Sequence, residues 1–285
     1  MARNLFKFGV DPWDPTHRFE TSWILSPFAL FCCRALLSLY AFATLLTILI
    51  YDCIHSPEHC AESRATFSYF THLTYWGLAF YFLVSAVHTF TYARSGIPLL
   101  AKLPRPLQAL HSLFYTTVTV FPFIVTIVYW AQLYDGHWYT EVFRGWSNVS
   151  QHALNSAMAL FEIIVPRTEP PLAIHMLWLI IILALYLCVA YVTYADKGFY
   201  TYNFLDPEEQ GAMLAAWIVG IAVGCCILFG VVWGLIWMRK KVTEEKLGLK
   251  GKFFGGATAM EDASSSVVRE LEEGKHEGSV PLENR

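Results

Sequence analysis

Apolar and polar positions along this chain separate on the scale of whole helices. Six stretches have the roughly 20 apolar residues that a helix needs to cross a bilayer core. They lie at approximately 26–51, 67–93, 107–134, 147–165, 172–194 and 212–238. Helix punctuation marks their edges. Ser26-Pro27 offers an N-cap followed by a first-turn proline, and Pro104 and Pro106 precede the third stretch. Pro166, Pro170 and Pro171 divide the fourth from the fifth. Pro122, inside the third, predicts a kink that neighbouring helices must accommodate. The expected fold is an all-α membrane protein with six transmembrane helices, both termini cytosolic, and a disordered C-terminal tail. Its parts are a polar N-terminus (1–25), a six-helix domain (26–238), and a basic juxtamembrane segment with a mostly disordered tail (239–285).

Composition supports the membrane class. Of the 285 residues, 55% are hydrophobic and only 15% charged, against roughly 25% charged in a soluble domain. The N-terminus lacks the basic and short apolar regions of a cleaved signal peptide, so the first span is expected to act as both insertion signal and anchor. Basic residues fix the orientation. Arg3, Lys7, Arg18, Arg94, Lys102, Arg105, Arg167 and the run from Arg239 to Lys252 fall on one side, and only Arg64, Arg144 and Lys197 on the other. The positive-inside rule assigns the first side to the cytosol. From about 243 the chain turns charged and Gly/Ser-rich, a composition that cannot offset the entropy of ordering.

Polar residues inside the spans fall on narrow stripes. On the fourth helix Asn148, His152, Asn155, Ala159 and Glu162 share one face. On the second, Thr71, Thr74, Tyr81, Ser85 and His88 do the same. Such segregation predicts that they face protein or water, not lipid. Thr71 and His152 sit at similar depth, about 6–8 Å below the non-cytosolic surface at helical rise. Arg34, eight positions into the first span, is costly in hydrocarbon. It either pairs with Glu162, coupling the first helix to the fourth, or snorkels to the headgroups.

Candidate chemistry is sparse. Thr71 could act as a nucleophile or merely back-bond to its own helix, and His152 could act as a base or bond to Asn148. The loop "DCIHSPEHCAES" gathers His55, Glu58, His59 and Cys60. A metal would need these rings aligned across Pro57, while a Cys53–Cys60 disulfide competes for the same loop. Asn148-Val-Ser150 is a sequon abutting the membrane. Gly220-x-x-x-Gly224 and Gly230-x-x-x-Gly234 predict close helix packing. Phosphate-binding glycine loops, nucleic-acid stripes and C-x-x-C pairs do not occur, so no cofactor, metal or nucleic-acid partner is expected.

"SYFTHLTYWGLAFYF", "YDGHWYTEVFRGWSNVSQHALNS" and "YVTYADKGFYTYNFLD" resemble the androgen-induced-gene (FAR-17a) and rolling-stone superfamily of six-span membrane proteins, its fungal members most of all. The resemblance runs through roughly residues 20–240. Its hydrolase branch implies a threonine hydrolase cleaving fatty acid esters of hydroxy fatty acids, in the endoplasmic reticulum, another endomembrane or the plasma membrane. The family's nucleophilic threonine matches Thr71. The first histidine of its H-x-x-H pattern matches His152, but the second, catalytic one falls on Asn155. "HALNS" is more like the rolling-stone branch, where no enzymatic role is implied. Two expectations follow. In one, Thr71 attacks an acyl carbonyl, His152 takes its proton and Asn155 steadies the oxyanion. In the other, the chain is a non-catalytic scaffold or small-molecule binder.

Overall fold

The computed structural model describes residues 13–57 and 60–256. Ten α-helices run α1 (Pro27–His55), α2 (Cys60–Ala65), α3 (Phe70–Ser95), α4 (Leu99–Lys102), α5 (Arg105–Val128), α6 (Val142–Val149), α7 (Asn155–Ile164), α8 (Ile174–Lys197), α9 (Pro207–Gln210) and α10 (Met213–Lys240). No strand occurs among the described residues. Among the described residues, five helices are long and apolar enough to cross a membrane: α1, α3, α5 with its extension to Leu133, α8, and α10 with its extension to Lys246. The protein is a multi-pass membrane protein whose described residues form an all-helical fold.

The fourth expected span is a helix of a different kind. α6 and α7 are joined through a π-helical turn, Ser150–Leu154, with helical backbone throughout. A second π turn, Tyr129–Leu133, ends α5. The wider turn changes the phase of the side chains that follow it. His152 and Asn155, neighbours on the face of a regular helix, therefore address different residues of α5.

Local chemistry sets the ends. Ser26 Oγ accepts the Ala29 N–H at 3.3 Å with Pro27 in the first turn, which starts α1 as its sequence predicts. α3 stops at Gly96, whose φ of 72° lies in the left-handed region that glycine enters without a Cβ penalty. α1 and α3 pack most extensively. Small residues allow close approach, and Ser38 Oγ crosses to donate to the Ala79 carbonyl at 3.1 Å. The core continues through Tyr115, Val118 and Phe121 of α5, Met158 and Ile163 of α7, and Phe229 and Val232 of α10. α8 is peripheral.

Both ends of the described chain meet at one end of the bundle. Ser22 bridges to Pro166 and to Lys252. Trp23 Nε1 donates to Ile164 O at 2.7 Å and Ser22 Oγ to Val165 O at 2.6 Å. Residues 247–256 then cross the same end. Phe253 lies buried under Arg167, whose guanidinium is 4.9 Å from its ring centroid, and Phe254 N–H donates to Tyr92 Oη. The expected disordered tail is thus shortened: residues 243–256 are folded onto the bundle, and the rest of that tail lies outside the described residues. Glycines of the two G-x-x-x-G patterns depart from expectation as well. A Cβ at Gly220, Gly224, Gly230 or Gly234 would meet nothing within 4 Å, so they mark no close packing within the chain.

Candidate functional site

Polar stripes of α3 and the fourth helix do turn inward. Thr71, Tyr81, Ser85 and His88 are buried, as are His152, Asn155, Ala159 and Glu162. Thr74 and Asn148 of the same stripes are only partly buried and bond back to their own helices, at Phe70 O and Arg144 O. In the half nearer residues 13–26 and 247–256, the stripes meet at Arg34. Its Nε and Nη2 donate to Glu162 Oε1 and Oε2, each at 2.8 Å. Its Nη1 reaches Phe19 O and Thr89 Oγ1, both at 2.7 Å, and Tyr81 Oη donates to Glu162 Oε2 at 3.2 Å. Arg34 and Glu162 are 1% and 0% exposed, so the arginine pairs and does not snorkel.

The opposite half holds the residues that sequence singled out for chemistry. Thr71 lines a cavity of about 200 Å³ between α3, α5, α8 and α10. Ile124, Val128, Leu183 and Ile221 make its walls largely apolar. Polarity is confined to Thr71, Tyr186 and Tyr202, and Tyr202 comes within hydrogen-bonding reach of Thr71 and Tyr186. Burial raises the Tyr202 phenol above its ordinary value, with hydrogen bonds from Thr71, Tyr186 and the Phe70 backbone opposing, so the group stays neutral. Tyr186 Oη is held by Ser68 O at 3.2 Å and Thr201 Oγ1 at 3.3 Å. Phe204 and Leu205 complete the end wall.

His152 is not among the residues lining that cavity. Its ring stacks on Tyr129, centroids 3.6 Å apart and planes 7° from parallel, and its carbonyl accepts from Trp130 Nε1 at 2.8 Å. Tyr129 in turn hydrogen-bonds Tyr139. The electrostatic neighbour of His152 on α3 is His72, and His152 Nδ1 and both nitrogens of His72 are buried without a partner. Asn155 is occupied elsewhere. Its Nδ2 donates to Pro122 O at 3.2 Å, and its Oδ1 accepts from Thr126 Oγ1 at 3.0 Å and from Ser156 N at 2.7 Å. Ser156 Oγ also reaches Pro122 O, at 3.1 Å. Of the three residues, Thr71 faces the cavity, His152 packs on the π turn of α5, and Asn155 secures the helix around Pro122.

Tyr202, Tyr186 and Phe204 escaped the sequence reading, although a signal existed for Tyr202 and Phe204; Tyr186, within apolar α8, gave none. "GFYTYNF" places four aromatic rings in seven loop residues, and such a cluster between spans tends to cover something. Across the α1–α2 loop, Cys53 of α1 and Cys60 of α2 form a disulfide. Glu58 and His59, considered there for a metal, lie outside the described residues.

Compared with family models, curated proteins and solved structures, the chain matches none. The fold defines the class as a multi-pass membrane protein, here with a largely apolar cavity between α3, α5, α8 and α10.

Proposed function

We propose that this chain is a six-span membrane protein that holds the acyl chain of a lipid in the Thr71 cavity and binds it without cleaving it. The carrying observation is an almost wholly apolar cavity with hydroxyls at one end. An engineered apolar cavity of about 150 Å³ already stays dry and takes up benzene. Six crossings are favoured by parity: segments 13–26 and 247–256 meet at one end of the bundle, which an odd number of crossings would forbid. The α6–α7 helix supplies the sixth. Arg18, Arg167, Arg239 and Lys240 gather at that end, which favours a cytosolic position for both termini. The resemblance to the FAR-17a and rolling-stone superfamily belongs to this reading, as does residence in the endoplasmic reticulum or another endomembrane.

Ester hydrolysis at Thr71 is the second reading, favoured by one observation: the Thr71 hydroxyl faces the cavity beside the Tyr202 phenol. Against it, His152 lies outside the cavity lining and both ends of the Asn155 amide are engaged. One experiment separates the two. Protein purified in mild detergent and incubated with a fatty acid ester of a hydroxy fatty acid is expected to retain the intact ester on native mass spectrometry. Turnover abolished by Thr71→Ala, or fluorophosphonate labelling of wild type that Thr71→Ala removes, would establish the hydrolase instead.

A further inference from the structure

Aromatic rings of the loop after α8 wall one end of the cavity. Tyr202 and Phe204 rings stack 5.1 Å apart, Phe204 leans on Trp217 at 5.6 Å, and Phe204 and Leu205 are buried. On the lipid side, two grooves share wall residues with it. One, of about 310 Å³, lies between α3, α5 and α8 and meets the cavity at Phe70 and Tyr186. That partition is rigid. Phe70 packs against Phe121 and Tyr186, centroids 5.2 and 4.9 Å apart, and hydrogen bonds pin the Tyr186 hydroxyl.

The other groove, of about 560 Å³, runs between α8 and α10 and meets the cavity at Ile180, Ile218 and Ala222. Ile180 and Ile218 can change rotamer without breaking a hydrogen bond or a ring stack, and Ala222 presents only a methyl group. Val219, Val223 and Ile227 of the groove are 60%, 52% and 61% exposed, so its outer part faces the bilayer in a spanning chain. Ala222 lies about 14 Å along α10 from Met213 at helical rise, within the hydrocarbon.

We infer that the α8–α10 groove is a lateral portal through which a single-chain lipid with a small uncharged head, a hydroxyl or an ester, reaches the cavity from the bilayer. The head stops at Thr71 and Tyr202, and the tail trails back along Ile180, Ile218 and Ala222. An uncharged head follows from the lining: no cavity or groove residue carries a charge, and an unpaired phosphate or carboxylate there would be strongly disfavoured. This inference rests on the acyl-binding reading above and adds the path and the head-group class.

The test is photo-crosslinking of full-length protein in phosphatidylcholine vesicles, with a long-chain fatty alcohol bearing a diazirine near its head. Wild type is expected to be labelled on the peptides carrying Thr71 and Tyr202. Ala222→Trp should reduce that labelling by about tenfold or more, while Gly77→Trp, in the other groove, leaves it unchanged. If Ala222→Trp does not give folded protein, Ile218→Phe replaces it at the same neck. Cavity labelling that survives the neck variants, or that falls only with Gly77→Trp, overturns the portal. Equal labelling by a lysophosphatidic acid analogue overturns the uncharged head. No labelling of wild type refutes the acyl-binding reading itself, a separate outcome.

Discussion

Arg34 was legible in the sequence because an arginine in an apolar helix demands a partner, and Glu162 stood at a reachable depth. The other bonds of its guanidinium were not legible, since Phe19 O and Thr89 Oγ1 arrive through tertiary packing. Removing one member of a buried pair strands the other and costs about 3–5 kcal/mol. Glu162→Gln should therefore lower the yield and melting temperature of detergent-purified protein sharply. Arg34→Met with Glu162→Met should recover most of the loss, short of the bonds to Phe19 O and Tyr81. Single variants as stable as wild type would show that the pair is not coupled. Glu20 makes a second case. It is 1% exposed with Oε1 unpartnered, and burial first, then the nearby Asp14, holds its carboxyl well above the ordinary 4.5, with Arg34 opposing. A raised carboxyl binds its proton more tightly in the folded state, so its contribution to stability falls as pH rises from that ordinary value through the raised one. Glu20→Gln should flatten this fall and leave the protein relatively more stable at neutral pH, as thermal melts in a pH series will register.

At the scale of elements, long apolar runs and flanking prolines made five helices legible, with edges displaced by a few residues. The fourth was legible as a polar-striped helix, but its π turn was not, because no residue type demands one. Two assignments moved as a result. His152 turned onto Tyr129, and Asn155 turned to Pro122, where its amide joins α7 to the helix carrying an internal proline. Under the proposed superfamily reading, a hydrolase would carry a histidine at 155. Asn155→His removes the Oδ1 acceptor and the Nδ2 donor together, leaving Thr126 and Pro122 without these partners. A loss of about 1–3 kcal/mol is expected, with no gain of ester cleavage. Cleavage acquired by this variant would mean that position 155 reaches the substrate after all.

At the scale of the whole molecule, basic residues led the sequence to expect one side for both ends, and composition suggested a loose tail. The structure adds that residues 13–26 and 247–256 meet at one end of the bundle. What composition could not convey is that ten residues held by backbone pairing and two phenylalanines suffice to dock a polar segment. Gly251 is the tight point of that strap. Its φ is 122°, and a Cβ there would sit 2.6 Å from Arg167 Cδ, so no side chain fits without moving Arg167 off Phe253. Gly251→Ala should lift the strap and accelerate tryptic cleavage after Lys250 and Lys252, leaving the α8–α10 end untouched. Unchanged cleavage would place the strap's hold elsewhere.

The bridge between Arg34 and Glu162 also bears on how the protein is made. Glu162 follows Arg34 by 128 positions, which at 5–20 residues per second leaves roughly ten seconds of synthesis between them. Throughout that interval α1 carries an unmatched cation worth about 2.5–3.5 kcal/mol against insertion. The first helix must therefore wait at a shallow depth or be sheltered by the insertion machinery. It can settle only once α7 has emerged. Ribosome-stalled chains ending before residue 162 should keep Arg34 accessible to an aqueous arginine reagent that no longer reaches it in the finished protein.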